Sequence, residues 1–231
     1  RVMKNVGLSN LYLVNPPGQW DTPEARAMAH ASGEILDACH VVEDLPLAVK
    51  DCQLVVGTTH REGKQRDAIY APEQIIKKIS PLLPQQQVAL VFGREKDGLW
   101  QDELLYCQYL VRFPSAISYP SYNLSHAVLL FAYELFKVTQ QPLPPTSRQQ
   151  PLAPHADRER MFTRLEEALS AIGFAHHNND TRHFSRAVRR FFNKMDIEMR
   201  DIRVILKICN QVRRFSLSLR RSVQESQSTN E

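Results

Sequence analysis

The sequence predicts an α/β protein built on a parallel sheet, followed by a smaller all-α C-terminal domain. Three observations lead there. Over the first 140 or so residues, short apolar runs alternate with stretches of helical periodicity. Runs such as Val88-Ala89-Leu90-Val91-Phe92 are apolar at every position, the mark of a strand buried on both faces of a helix-covered parallel sheet. A stretch rich in proline and glutamine then precedes a region whose apolar residues recur at helical spacing.

Each element has a local reason. Residues 1–7 read as the last turns of a helix closed by Gly7 at the C′ position. A helix met in its middle, with Arg1 as first residue, leads to the expectation that upstream residues are missing. Residues 11–14 form a strand that ends in the turn Asn15-Pro16-Pro17-Gly18. Thr22 caps a helix with Pro23 at its first position, expected to run to Gly33. Residues 54–59, 88–92 and 110–113 are strands; residues 72–83 and 123–139 are helices. The expected domain covers residues 1–139, with an extended linker over 140–155. The helical extension spans 156–223, with helices over 158–172, 181–194 and from 197 to about 220. The first of these ends at Gly173, with Phe174 as a hydrophobic contact beyond the cap. The polar tail 224–231 is expected to be disordered.

Composition narrows the function classes. The 231 residues suffice for one α/β domain and a smaller unit. No apolar run approaches the ~20 residues that span a bilayer, so no membrane partner is expected. The four cysteines lack CxxC spacing, which gives no zinc signal and suggests buried thiols in a reducing, cytoplasmic setting. From Ala156 onward there are 15 Lys and Arg against 10 Asp and Glu; before it, 14 against 15. That asymmetry reads either as a polyanion-binding appendage or as a solvated helical face.

Ligands of parallel α/β sheets bind beyond the carboxyl ends of the strands. Three clusters follow strands there: Gly57-Thr58-Thr59-His60, Phe92-Gly93-Arg94-Glu95-Lys96-Asp97-Gly98-Leu99, and Tyr119-Pro120-Ser121-Tyr122-Asn123-Leu124-Ser125. Singly, each is weak. Gly93 and Gly98 suit turns as well as the close approach of a ligand to the backbone. Ser121 or Asn123 suits a helix cap as well as an anion site. The charged residues 60–66 suit a solvated loop or the phosphates of a polyanion. Arg186, Arg189, Arg190 and Lys194 fall at helical spacing and form a polyanion-facing stripe or a plain surface face. His126 reads as a packed core or interface residue, and His176-His177 lacks metal-ligand spacing. Trp20 and Trp100 read as packing or interface residues rather than base-stacking platforms.

In this order, Val91-Phe92-Gly93-Arg94-Glu95-x-x-Gly98-Leu99 and Ser121-x-Asn123-Leu124-Ser125-x-Ala127-Val128 resemble motifs 2 and 3 of the SpoU/TrmH family of SPOUT methyltransferases. Arg1-Val2-Met3-Lys4-Asn5-Val6-Gly7-Leu8 resembles the second half of motif 1; the Asn-x-Gly half is absent, in line with the expected truncation. Arg164-Leu165-Glu166-Glu167-Ala168-Leu169, Ile172-Gly173-Phe174, Arg189-Arg190-Phe191-Phe192 and Asp201-Ile202-Arg203-Val204-Ile205 are similar to the C-terminal extension of one subgroup. That subgroup methylates the ribose of nucleotide 32 in tRNA anticodon loops.

The resemblance implies a SPOUT fold with a trefoil knot over about residues 88–135, an exception to the rule of unthreaded chains. It implies a homodimer with the site at the subunit interface. It also implies S-adenosylmethionine as methyl donor and the ribose 2′-hydroxyl of RNA, tRNA first, as acceptor. Ribosomal RNA methylation and non-catalytic RNA binding remain the alternatives. Thr58, Thr59, His60, Gly93, Phe113, Pro120, Ser121 and Tyr122 match cofactor-binding positions; Arg1, Glu95, Ser121 and Asn123 match the catalytic set. No metal is implied. Two departures stand out: Tyr122 replaces a leucine, and Pro120, which lacks an N–H, replaces a small polar residue.

Overall fold

The computed structural model describes residues 1–60, 69–116, 122–140, 150–174 and 181–228, the last range with side chains from 185 to 220. Pro120, Ser121, the charged residues 61–66, His176-His177 and most of the expected linker lie outside the described residues. The chain divides into two compact units, Arg1–Gln149 and Gln150–Glu231.

In the first unit every strand pairing is parallel. The sheet holds β3 (Leu54–Thr58), β4 (Ile69–Tyr70), β5 (Val88–Val91) and β6 (Tyr109–Val111) in the order β4-β6-β3-β5. β1 (Tyr12–Val14) and β2 (His40–Val42) form a separate parallel pair. Register aligns Gly57 with Val91 on one side and Thr58 with Val111 on the other, so three strands end at one level. Both faces of the central strand are covered, as its unbroken apolar run requires. On one face Val55 and Leu110 pack with Leu45 and Val49 of α4 (Leu45–Val49) and with Cys107. The pleat turns Tyr109 to the other face, where Lys78 of α5 (Pro72–Ile79) lies 4.5 Å over its ring. The long helix α7 (Leu124–Thr139) packs against α5 and against α1 (Val2–Asn5).

Several elements depart from expectation. The helix begun at Thr22 stops early: α2 covers Pro23–Met28, and α3 (Gly33–Asp37) starts at the glycine expected to end it. Ala31, at φ 60°, makes the break. β2, α4, β4 and α6 (Gln101–Leu104) are too short to leave a periodic signal. Asp44 still caps α4 through the Leu47 N–H at 2.9 Å. Cys107 and Cys209 are buried, Cys39 and Cys52 half-buried, and all four are free thiols. His126 is exposed, which removes the core reading of that residue.

The second unit contains α8 (His155–Ala171), α9 (Thr181–Asn193) and α10 (Met199–Ser228). Ala153, Met161, Phe162, Ile197 and Ile202 form its core. The expected linker therefore ends sooner than residue 155. Leu152 and Ala153 are buried, and the Ala153 N–H donates to Ile197 O at 2.8 Å. Gly173 takes φ 68°, and the Phe174 N–H closes α8 on Leu169 O at 3.0 Å. α10 continues through the first five residues of the expected tail, because nothing between 221 and 228 breaks a helix.

Candidate functional site

The carboxyl ends of β3, β5 and β6 open into one cleft of about 690 Å³, counted with the solvent at its mouth. Thr58, Thr59 and His60 line it from β3; Phe92, Gly93, Arg94 and Glu95 from β5; Arg112 and Phe113 from β6. Tyr122, Leu124 and Ala127 close it from the start of α7. The cleft thus brings together Thr58, Thr59, His60, Gly93, Glu95 and Tyr122, from all three sequence clusters, with Phe113 at the end of the third strand run.

Hydrogen bonds fix these strand ends to one another. The Thr58 hydroxyl donates to Val91 O at 3.3 Å, and the Thr59 N–H to Val111 O at 2.9 Å. The Phe113 ring meets Tyr122 and the buried Phe131 edge-on, with centroids 6.0 and 6.3 Å away. The Tyr122 hydroxyl donates to Pro114 O at 2.8 Å. The hydroxyl that the departure from leucine introduces thus ties the start of α7 to the end of β6.

The loop after β5 is closed on itself. Arg94 and Gly98 exchange backbone hydrogen bonds of 3.1 and 2.9 Å. Gly93 is a glycine for a reason other than the one the sequence suggests. A Cβ there would stand 2.0 Å from Gly98 C and 2.2 Å from Leu99 N, so the loop's own backbone fills the space. The loop reaches α7 through Glu95, whose carboxylate accepts the Leu124 N–H at 2.8 Å. Asn123 caps the same helix, accepting the Ser125 N–H at 3.0 Å. Two carboxamide and carboxylate oxygens thus satisfy the first free donors of α7.

Arg1 and Asn123 are not among the residues that line the cleft. Arg1 stands at the N-cap of α1, and Lys4 ties that helix to Glu34 of α3 with an ion pair.

One constellation escaped the sequence. The Arg94 guanidinium binds the Glu103 carboxylate in a fork of 3.0 and 2.9 Å and lies 3.7 Å over the Trp100 ring. The same carboxylate accepts the Trp100 N–H at 2.7 Å, and its pairing pushes the Arg94 pKa up. A capping Glu three residues after the N-cap was the available signal, but Trp100 stands where Ser or Thr would advertise it.

Comparison with known proteins agrees with the geometry. Residues 1–133 match the profile described as the SpoU rRNA Methylase family, more than half of the chain. A tRNA (cytidine/uridine-2′-O-)-methyltransferase TrmJ of Sodalis glossinidius is 36% identical over 210 residues, 89% of this chain and 81% of the relative. A protein of the same name from Pectobacterium atrosepticum is 32% identical over 217 residues, 93% of this chain and 89% of that one. Among solved structures, TrmJ from Z. mobilis superposes with a TM-score of 0.78 at 27% identity, covering 91% of this chain and 90% of its own.

Proposed function

The chain belongs to the SpoU rRNA methylase family, and we propose that it transfers a methyl group from S-adenosylmethionine to a ribose 2′-hydroxyl of tRNA, at nucleotide 32 of the anticodon loop. One observation carries the reading. Residues from the ends of β3, β5 and β6 and from the start of α7 meet in one cleft, in a chain whose relatives over 89% of its length are named for this reaction.

The cleft suits the donor. Its lining joins apolar Leu99, Phe113, Leu124 and Ala127 to hydroxyls and strand-end backbone, as a nucleoside with a polar tail requires. Thr58, Thr59, His60, Gly93 and Phe113 would hold it, with Pro120, Ser121 and Tyr122 by resemblance. Bound there, S-adenosylmethionine supplies an electrophilic methyl group on a sulfonium.

The chain's own residues prepare the acceptor. A ribose hydroxyl is a weak nucleophile that must be oriented and lose its proton during attack. Holding it against the donor supplies much of the rate. Guanidinium groups are poor proton acceptors, so the role proposed for Arg1 is to orient a phosphate or to stabilise developing alkoxide charge. Glu95 and Asn123 act as positioning residues through the start of α7.

Arg1 lies outside the cleft of its own chain, and α7, on which its helix packs, exposes Leu129, Leu130 and Tyr133. A homodimer joined through that face would deliver Arg1 to a cleft across the interface. The trefoil knot over about residues 88–135 belongs to the same reading, by resemblance. On the second unit, Arg203, Lys207 and Arg214 share an exposed face of α10 and would meet RNA phosphates.

The test is methyl transfer from labelled S-adenosylmethionine to unmodified tRNA and ribosomal RNA, followed by mapping of the labelled ribose. Label at nucleotide 32 is expected. Label confined to ribosomal RNA would overturn the choice of substrate, and binding of both partners without transfer would overturn the activity.

A further inference from the structure

We propose that Trp100, backed by Arg94, is a stacking platform for one unpaired nucleobase of the RNA substrate. The inference rests on the RNA methyltransferase reading and adds how the substrate is recognised.

Trp100 is 56% exposed. That exposure is too great for a side chain whose role is to fill the core. One ring face lies under the Arg94 guanidinium at 3.7 Å, and more than half of the residue remains open to solvent. The site adjoins the chemistry, because Arg94 and Leu99, next to the tryptophan on the loop, both line the cleft.

The platform is built rather than mobile. The Glu103 carboxylate grips the guanidinium through both nitrogens and the Trp100 N–H through one oxygen. The Arg94–Gly98 backbone bonds close the loop beneath it. An aromatic face held this way is ordered before it meets a ligand, which lowers the cost of binding.

Charge decides between the two parts of an RNA. The Arg94 cation is already neutralised by Glu103, so the pair offers little to a phosphate. What remains available is an aromatic face polarised by a cation on its far side, and a nucleobase stacks on such a face whatever its sequence. In a duplex those faces are covered by neighbouring bases, which restricts the partner to a splayed base of a loop.

The experiment uses the full chain with Trp20→Phe, which leaves Trp100 as the only one of the two tryptophans. Titration with a tRNA anticodon stem-loop should quench its fluorescence saturably. Trp100→Ala should weaken RNA binding about tenfold or more, the size of a lost base stack. Trp100→Phe should stay close to wild type, and S-adenosylmethionine affinity should hold in both. Abasic substitution scanned through the loop should reveal one nucleotide whose loss mimics Trp100→Ala and is not additive with it.

RNA that is bound and methylated without quenching, or with unchanged affinity for Trp100→Ala, overturns the platform alone. A wild-type chain that binds neither donor nor RNA overturns the methyltransferase reading beneath it. If Trp100→Ala loses donor affinity as well, the loop has collapsed, and the quenching and the Trp100→Phe affinity decide.

Discussion

Glu95→Ala removes the carboxylate that accepts the Leu124 N–H at 2.8 Å. Two contributions go with it. One is a capping hydrogen bond, worth ~0.5–2 kcal/mol in general. The low end applies, because Glu95 is exposed, water can replace it, and Asn123 still serves the Ser125 N–H. The other is the attraction of a carboxylate to the positive end of a 16-residue helix, ~0.3–1 kcal/mol and screened by salt. Together they come to about 1 kcal/mol, which lowers the melting temperature of a domain of this size by roughly 2–4 °C. Glu95→Gln keeps an acceptor oxygen and loses only the charge, so its melting point should fall about half as far, and less in high salt. Activity should fall further than stability does in Glu95→Ala. Asn123 and the positions before it, which we propose hold the cofactor, lead directly into the helix that Glu95 anchors. Calorimetry beside methyl-transfer rates separates the two effects. A Glu95→Ala chain that melts at the wild-type temperature, or above Glu95→Gln, would refute the reasoning.

Three further outcomes are expected. A Cβ at Gly57 would meet Cys107 Sγ at 2.6 Å, so Gly57→Ala should cost ~1–3 kcal/mol in denaturant titrations; combined with Cys107→Ala it should cost less than the sum of the two, and strict additivity would show that the contact is not the cause. Burial pushes the Cys107 thiol from near 9 up to about 12; the unfolded chain therefore ionises first, and this contribution to stability is whole below pH ~9 and lost as pH rises toward 12. A thiol reagent at pH ~8 should spare Cys107 in the native chain and label it in urea. Replacing Arg203, Lys207 and Arg214 by glutamine should lower the slope of log affinity for tRNA against log salt by up to about 2 to 3; an unchanged slope would remove that face from the RNA interface.

The sheet was legible because its strands are long enough to show an all-apolar run, and the cleft because glycine and threonine follow those runs directly. The sequence could not show β4 at two residues or α6 at four, since neither completes a period. It gave α2 the wrong end by treating Gly33 as a stop, when Ala31 takes the left-handed conformation and Ser32 precedes a new helix. Among the site residues, Thr58 and His60 fell in a cluster directly after a strand, while their roles and the place of Phe113 came through the family resemblance. Arg112 was passed over because the expected strand ran to 113 and enclosed it, whereas β6 ends at Val111. The Arg94–Trp100–Glu103 cluster joins positions nine residues apart through a loop whose closure depends on backbone geometry, and no spacing rule encodes that.

Gly93 ties these observations together. The sequence suggests a glycine that admits a ligand, whereas the atoms nearest its absent Cβ are Gly98 C and Leu99 N, all backbone. A flexible side chain could yield to a methyl group; a loop pinned by the Arg94–Gly98 hydrogen bonds cannot without opening. The loop carries Glu95 to the start of α7 and Arg94 to Trp100, while its inner surface lines the cleft. One methyl group at this position would therefore disturb donor binding, the cap of α7 and the base platform together. The close packing that excludes a side chain at Gly93 is what keeps those three parts in register, so the site is organised by contacts of the chain with itself before any ligand arrives.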